Sequence, residues 1–198
     1  MRFIVSTSTL LKHLQAVSGA LSTSAVLPIL ENFLFEIRDG NLVISATDLQ
    51  TSMTTALAVD SKEDGKIAVP SKILLDTLKT LAEQPISFSV DENTFAIEIS
   101  AGDGKYKLSG ENGDDFPKIP TVNEASSVNL PASVLAEAIN KTIFAVSTDE
   151  LRPAMTGVYC QLSTQDLTFV ATDAHKLVRY KRTDTKADKA TSFILPRK

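Results

Sequence analysis

The sequence is short of the residues that build disulfide, metal and cofactor sites. It has one cysteine, two histidines and no tryptophan among 198 residues. A lone cysteine excludes a disulfide framework and is typical of a reducing compartment; Cys160 alternates with Val158 and Leu162, as a core residue of a strand does. Two histidines and a cysteine are too few for most zinc sites, and neither a Gly-x-Gly-x-x-Gly motif nor a Walker-type loop occurs. We therefore predict no metal and no cofactor.

Long apolar runs are also missing. No stretch approaches the roughly 20 apolar residues that a membrane-spanning helix needs. The start, Met1-Arg-Phe-Ile-Val-Ser6, lacks the apolar run of a signal peptide. The sequence thus predicts a cytoplasmic protein with no membrane partner. Apolar residues still make up 43% of the chain, which is enough for a core in each of two compact units.

Acidic residues outnumber basic ones, 24 to 20, and the net charge is −4. An excess of acid argues against a protein that wraps nucleic acid, because phosphate binding depends on Lys and Arg. The argument holds only if charge is spread evenly. Whether the chain can bind nucleic acid therefore depends more on where the lysines lie than on how many there are.

An internal repeat organises the chain. The segment Ala171-Thr-Asp173 has an earlier copy in Ala46-Thr-Asp48, at an offset of 125 residues. Leu195-Pro196 matches Val69-Pro70 at an offset of 126, which one inserted residue explains. Two copies of one domain are therefore predicted.

Hydrophobic periodicity predicts the order strand, helix, three strands, helix, three strands for one copy. In the first copy, a helix capped within 6–8 runs to about Ala20, with the apolar face Leu10, Leu11, Leu14, Val17 and Leu21. A second helix opens at Pro70-Ser71 with the core face Leu74, Leu78 and Leu81. Its opposite stripe is Lys72, Asp76, Lys79 and Glu83.

The second copy is predicted to begin with a strand at 128–130 and a helix at 131–146. The inward residues of that helix are Leu135, Ala138, Ile139, Thr142 and Val146. Its strands are placed at 157–162, 167–172, 176–182 and 193–195. Pro196-Arg-Lys198 is predicted to open its second helix.

The composition changes to Gly, Asp and Pro between 110 and 120, which is typical of a linker. We place a first domain at 1–118, a linker at 119–126 and a second domain at 127–198. Compared with the first copy, the second lacks roughly 45 residues, its last helix and three strands. We therefore expect a second domain that is truncated at its C-terminal end.

Asp173 and His175 form a pair of the kind that a general base and its orienting acid make. The alternative is that Asp173 caps a tight turn and His175 lies exposed. The matching Asp48 is followed by Leu49 and Gln50, without a histidine. A structural turn would repeat without a histidine, whereas a catalytic pair needs one, so the sequence favours the turn.

Several short motifs occur in a fixed order along the whole chain. They are Leu10-Leu-Lys12, Val17-Ser-Gly19, Leu27-Pro-Ile-Leu30 with Asn32, Thr47-Asp-Leu49, Val69-Pro70, Asp115-Phe-Pro117, Val170-Ala-Thr-Asp173 with His175 and Leu177, and Pro196-Arg-Lys198. Their order and spacing resemble those of the N-terminal half of the bacterial DNA polymerase III beta subunit, the sliding clamp family. Each motif is weak alone, and the match over all positions is specific.

The resemblance implies an α+β fold of repeated clamp domains. Three domains per subunit and two subunits head to tail would close a ring, with antiparallel sheets outside and helices lining the hole. It implies a processivity factor, not an enzyme, that encircles duplex DNA and tethers the replicative polymerase. The implied partners are the DNA polymerase III alpha subunit, the clamp loader, and other clamp-binding polymerases and repair proteins, with a homodimer for the full-length protein.

The resemblance also assigns residues. The DNA-facing set is Lys12, Lys72, Lys79, Lys141, Arg197 and Lys198. The partner-peptide pocket is Arg152, Met155, Thr172, His175, Lys176 and Leu177, in which Met155 and Leu177 form the apolar wall. The subunit interface is Lys105, Tyr106 and Lys107, with Tyr106 as an apolar plug. Family members often carry Gly where Ala174 stands, Arg where Lys176 stands, and a basic residue in the loop matching Ser22-Thr-Ser24.

The sequence leaves two rival hypotheses open. One is a peptide-binding interaction module with no DNA role. The other is a hydrolase that uses Asp173 and His175, which would lose turnover if His175 were replaced by alanine.

Overall fold

The computed structural model describes residues 1–21, 27–119, 129–149 and 151–197. The chain divides into two compact units, Met1–Pro120 and Thr121–Lys198. The loop Ser22-Thr-Ser24, Lys198 and the predicted linker apart from Ile119 lie outside the described residues.

The first unit contains ten strands and two α-helices among its described residues. The strands are β1 (Arg2–Ser6), β2 (Asn32–Arg38), β3 (Asn41–Thr47), β4 (Ser52–Ala58), β5 (Asp60–Ser61), β6 (Gly65–Pro70), β7 (Pro85–Val90), β8 (Ala96–Ala101), β9 (Gly104–Ser109) and β10 (Glu111–Asn112). The helices are α1 (Thr7–Val17) and α2 (Ser71–Thr80), and 3₁₀ helices cover Ser18–Ala20, Pro28–Glu31 and Gly113–Asp115. Every strand pairing is antiparallel.

The ten strands form two five-stranded sheets, in the orders β5-β1-β7-β8-β9 and β10-β6-β2-β3-β4. Their facing sides share one core, in which the rings of Phe3 and Phe88 stack at 4.7 Å and Phe35 lies 6.3 Å from each. Aromatic side chains bury the largest apolar areas per residue, so this cluster anchors the two sheets on each other.

The helices of the first unit bury the faces that their periodicity predicts. Leu10, Leu14 and Val17 of α1 are buried, while Leu11 and Leu21 pack half-buried against the same core. Leu74 and Leu78 of α2 are buried, and Leu81 packs beside them. The side chain of Ser6 accepts the N–H of Thr9 at 3.4 Å and so caps α1.

Two expectations for the first unit are wrong. Glu83 does not belong to the stripe of α2, because the helix ends at Thr80 and Leu81 closes it. Residues 111–116 are not a linker: β10 pairs with β6, and Phe116 is buried against Leu34 and Ala68. A segment rich in Gly and Asp is thereby fixed by one aromatic anchor.

The second unit contains one four-stranded antiparallel sheet and one α-helix among its described residues. The strands are β11 (Gly157–Leu162), β12 (Leu167–Thr172), β13 (Leu177–Arg182) and β14 (Thr191–Pro196). The helix is α3 (Ala132–Asn140), and 3₁₀ helices cover Ile143–Ala145 and Pro153–Met155. The sheet order β13-β12-β11-β14 equals the order β4-β3-β2-β6 of the first unit, as the repeat predicts.

Three expectations for the second unit are wrong. Asn129 and Leu130 are not in a strand, and α3 stops at Asn140 instead of reaching Val146. Val134 rather than Leu135 shares the buried face with Ala138, which lies four residues further on and so on the same side of the helix. Pro196 ends β14 as Pro70 ends β6, and the helix predicted to open at Pro196-Arg-Lys198 stays a prediction, because Lys198 lies outside the described residues.

The α+β class with antiparallel sheets is confirmed.

Candidate functional site

The turn between β12 and β13 is built around one carboxylate. Oδ1 of Asp173 accepts the backbone N–H of His175 at 3.0 Å and that of Lys176 at 2.9 Å. Oδ2 lies 2.7 Å from Nζ of Lys176. The pKa of Asp173 is therefore held well below its usual range, first by the Lys176 ammonium and then by the two backbone donors. The charged form of Asp173 caps the turn.

The first unit has the same turn between β3 and β4. Oδ1 of Asp48 accepts the N–H of Gln50 at 3.0 Å and that of Thr51 at 2.7 Å. In both turns the preceding threonine hydroxyl accepts a further N–H, from Leu49 in one and Ala174 in the other. The repeated geometry needs no histidine. Within the described residues the carboxylate of Asp173 has no hydrogen bond to the imidazole of His175, so the geometry lends no support to the hydrolase hypothesis.

The turn gathers four of the six predicted pocket residues. Thr172 and Leu177 face each other as a cross-strand pair, and His175 and Lys176 are exposed between them. The side chain of Leu177 is 67% exposed, although it is apolar. Leu177 therefore lies outside the core of its unit and is accessible from solvent.

The other two predicted pocket residues approach from the start of β11. Arg152 precedes the 3₁₀ helix Pro153–Met155, and its Nε donates to Oδ2 of Asp149 at 2.8 Å. Met155 is half-buried, and its carbonyl accepts the N–H of Ser147 at 2.9 Å. Because β11 and β12 are antiparallel and Tyr159 pairs with Val170, the start of β11 and the end of β12 lie at the same end of the sheet. All six predicted residues therefore belong to one end of this sheet.

Leu151 belongs to the same segment and was missed by the sequence reasoning. Its side chain is 91% exposed, and its N–H donates to Oδ1 of Asp149 at 3.0 Å. The available signal was a large apolar residue next to Arg152-Pro153, in a stretch with no strand or helix period.

The predicted DNA-facing lysines fall into two groups. Lys12 on α1 and Lys72 and Lys79 on α2 are exposed, and the two helices pack against each other. Nζ of Lys79 lies 3.4 Å from Asp76, so the surface also carries acid. These three lysines are available to solvent on neighbouring helices.

Lys141 is engaged within its own unit. Its Nζ lies 2.7 Å from Glu137 and 4.9 Å from the ring centroid of Tyr180. The carboxylate of Glu137 raises the pKa of Lys141, and its other oxygen lies 2.8 Å from Nη1 of Arg182. Arg197, at the end of β14, is exposed, and its N–H donates to the carbonyl of Thr156 at 3.1 Å. Arg197 therefore stands at the pocket end of the sheet and not on a helix.

The predicted subunit interface lies on β9, the last strand of its sheet. Lys105 and Lys107 are exposed on one face, with Lys105 3.2 Å from Glu98. Tyr106 alternates to the other face, pairs with Ile99 and is half-buried against the core of its own unit. An edge strand presents unpaired backbone groups that a second strand can use.

The described part of the chain holds no cluster of three or more His, Cys, Asp and Glu side chains able to bind a metal ion. None of the described helices is both long and apolar enough to cross a membrane.

Comparison with known proteins agrees with this architecture. The model of the DNA polymerase III beta subunit N-terminal domain matches residues 1–120, and that of the central domain matches residues 129–198. A beta sliding clamp of Synechococcus elongatus is 32% identical over 197 residues, which is 98% of this chain and 52% of the relative. The chain thus spans about half the length of the curated relatives it matches.

Solved structures give the same result. The DNA polymerase sliding clamp of Bacillus subtilis has a TM-score of 0.87 at 26% identity, over 100% of this chain and 54% of the clamp. The DNA polymerase III subunit beta of Pseudomonas aeruginosa has a TM-score of 0.85 at 28% identity, over 100% of this chain and 53% of that subunit. The chain belongs to the DNA polymerase III beta subunit family.

Proposed function

We propose that the protein acts as a DNA sliding clamp, which encircles duplex DNA, tethers the replicative polymerase and has no catalytic activity of its own. One observation carries the proposal: two units repeat one sheet order and one turn, and clamp family models match both. Tandem copies of one domain are what a ring built by repetition requires. The work of such a protein would take place in the cytoplasm, on DNA.

The charge distribution suits a ring that holds DNA by encircling it. The net charge is −4, while Lys12, Lys72 and Lys79 are exposed on adjacent helices. Phosphate affinity rises with each lysine that releases counterions. A few lysines with acidic neighbours give a weak and salt-sensitive attraction, which permits sliding. A closed ring supplies retention without tight binding.

The end of the second unit's sheet is proposed as the docking site for partner proteins. Met155 and Leu177 offer the apolar contacts, and Arg152, Thr172, His175 and Lys176 the polar ones. The proposed ligands are short peptides of the DNA polymerase III alpha subunit, the clamp loader and other clamp-binding polymerases and repair proteins. Methionine adapts its shape to different apolar side chains, which suits a site with several partners.

Closure of the ring is proposed to use the edge of β9. Lys105 and Lys107 would meet acidic residues of a second subunit, and Tyr106 would contribute its exposed part as a plug. The proposed domain bounds remain 1–118 for the first domain and 127–198 for the second.

The experiment that tests the clamp proposal compares circular and linear DNA. Full-length protein is loaded onto nicked circular DNA by a clamp loader, and retention is measured by gel filtration at moderate salt. We expect retention on the circle and loss after one cut that linearises it, because a ring slides off a free end. Equal retention on both forms would contradict a topological link.

A peptide-binding module with no DNA role remains the second candidate. The observation in its favour is that Lys79 and Lys141 both lie next to carboxylates, while Leu151 and Leu177 are freely exposed. Such a module would bind the polymerase-derived peptide and show no retention on either form of DNA.

A further inference from the structure

The first turn of α1 is held by a carboxylate from a distant part of the chain. Oγ of Ser6 donates to Oε1 of Glu83 at 2.6 Å, and the N–H of Ser8 donates to Oε2 at 2.9 Å. The first turn of α1 contains no acidic residue of its own. Negative charge there stabilises a helix, because its free N–H groups carry partial positive charge. Glu83 supplies that charge from outside the helix.

The neighbouring residue completes the contact. The N–H and the hydroxyl of Thr7 both donate to the carbonyl of Gln84, at 3.0 and 2.9 Å. Thr7 is buried and Gln84 is half-buried, so this pair of bonds is partly shielded from water. We call the set of Ser6, Thr7 and Ser8 with Glu83 and Gln84 the Glu83 clasp.

The clasp joins the start of α1 to the exit of α2. Leu81 closes α2 by donating its N–H to the carbonyl of Leu78 at 3.3 Å, and it packs against the common core. Shortly afterwards the chain enters β7, where Pro85 pairs with Ser6. Residues 81–84 are therefore fixed at both ends. The carboxylate of Glu83 in this segment is thus held in place where it binds the first turn of α1.

Exposed lysines also lie one helical turn from Ser8 and shortly before Glu83 along the chain. Lys12 is four residues after Ser8 on α1, and Lys79 is four residues before Glu83. Hydrogen bonds from Ser6 and Ser8 lower the pKa of Glu83, with a smaller contribution from the charge of Lys12. The ionised carboxylate is thus near enough to attract Lys12.

We propose that Glu83 is a positioning residue for the DNA-facing surface. By fixing the first turn of α1 to the exit of α2, it holds Lys12 in a constant position relative to Lys72 and Lys79. This inference rests on the proposed role of those lysines in facing DNA. Glu83 itself would not touch DNA, since its charge repels phosphate.

Because of that repulsion, the direction in which DNA affinity changes distinguishes the positioning role from electrostatics alone. On electrostatics alone, removing a carboxylate from this surface strengthens DNA binding. If Glu83 positions Lys12, Glu83→Ala weakens binding in spite of the lost negative charge. Asp76→Ala is the matched control, because Asp76 is an exposed acid of α2 that pairs with Lys79 and lies outside the clasp.

The first measurement is amide exchange by NMR on the 198-residue chain. We expect the Ser8 N–H to exchange about fivefold faster in Glu83→Ala, the size typical of a lost helix cap, and at the native rate in Asp76→Ala. Glu83→Gln keeps an acceptor oxygen and the side-chain length, so we expect an intermediate rate and an intact fold. An unchanged rate in Glu83→Ala would show that the clasp does not hold the helix.

The second measurement is the affinity of full-length variants for a duplex oligonucleotide at low salt, by fluorescence anisotropy. We expect Asp76→Ala to bind as tightly as the wild type or tighter, and Glu83→Ala to bind about threefold more weakly, a change of ~0.65 kcal/mol. If both variants gain affinity alike, Glu83 is a local cap and the positioning role is wrong. If the wild type shows no affinity, the DNA-facing role of the lysines and the positioning role both fail, while retention on circular DNA tests the clamp function separately and the exchange rates still report the clasp.

Discussion

Two residues at the tips of equivalent turns adopt a backbone conformation that side chains disfavour. Leu49 has a φ of 73° and Ala174 a φ of 75°. For an L-residue this left-handed region costs roughly 1–2 kcal/mol, because Cβ crowds the following carbonyl oxygen. The aspartate and threonine hydrogen bonds of each turn offset the strain. Ala174 lies in the turn that carries the proposed peptide site, so the strained backbone is part of the proposed docking surface.

Replacing Ala174 with glycine should stabilise the second unit by about 0.5–1 kcal/mol, the relieved strain less the added chain entropy. The measurement is urea denaturation followed by tyrosine fluorescence, since two of the three tyrosines, Tyr159 and Tyr180, belong to the second unit. Ala190→Gly is the control, since Ala190 is exposed and has no positive φ, and it should be neutral or destabilising. A lower midpoint for Ala174→Gly than for the wild type would contradict the strain.

Burial raises the pKa of the Cys160 thiol to about 11. At pH 8 the thiol is therefore protonated, and the protonated form is a poor nucleophile. We expect no reaction of the folded protein with a disulfide reagent at pH 8. Once urea unfolds the second unit, the reagent should release one equivalent of its thiolate per chain. Fast labelling of the folded protein at pH 8 would show that Cys160 is accessible.

At the scale of elements, one end of the sheet in the second unit carries the proposed docking site. The 3₁₀ helix Pro153–Met155 leads into β11 at the end where β12 turns into β13. The register of β11 with β12 and the capped turn after β12 thus place side chains from two separate segments at the same end of the sheet. Rigid elements hold such a surface better than a long loop does.

Leu177→Ala should weaken a polymerase-derived peptide about tenfold or more, because losing an apolar anchor commonly costs about 2 kcal/mol. Leu177 is largely exposed, so the substitution should leave the unfolding midpoint unchanged. Met155→Ala should weaken the peptide similarly but also lower stability, since Met155 is half-buried. A labelled peptide titrated into full-length protein measures the affinities, and urea denaturation measures the midpoints.

Leu49→Ala is the matched control for that titration. Leu49 is exposed at the equivalent turn of the first unit, and its loss should leave peptide affinity unchanged. Lys12→Ala should also leave peptide affinity unchanged, because Lys12 lies on a helix of the first unit. Equal affinity for wild type and Leu177→Ala would mean that the peptide binds elsewhere.

At the scale of the whole molecule, the proposed ring depends on β9 as an open edge. The edge alternates between a tyrosine that packs on its own core and two lysines that face away from it. Its backbone groups and its lysines are thus both accessible to a second subunit.

Tyr106→Asp should split the full-length dimer, because it places a charge where the proposed interface buries an apolar side chain. Since Tyr106 also packs on its own unit, the double variant Lys105→Glu with Lys107→Glu tests the edge without touching the core. Sedimentation at micromolar concentration should show monomers for both. A dimer that survives both changes would place the interface elsewhere.

The sequence by itself determined whatever depends on neighbours along the chain. Strands β11 and β12 have the predicted bounds, and the buried faces of α1 and α2 are those of a 3.6-residue period. The turn at Asp173 also follows locally, because an aspartate binds the N–H groups two and three residues on. A repeat strengthens such inferences, because each copy tests the other.

Tertiary structure decided the features that need a distant partner. Glu83 lies beyond the end of α2, and there it accepts hydrogen bonds from Ser6 and Ser8, which are far away along the chain. Phe116 turns an apparent linker into part of the first unit because Leu34 and Ala68 provide an apolar site. The side of α3 that is buried, Val134 rather than Leu135, depends on which residues the sheet presents to it. Periodicity fixes which residues share a face, but the free energy of burial is set by what that face meets.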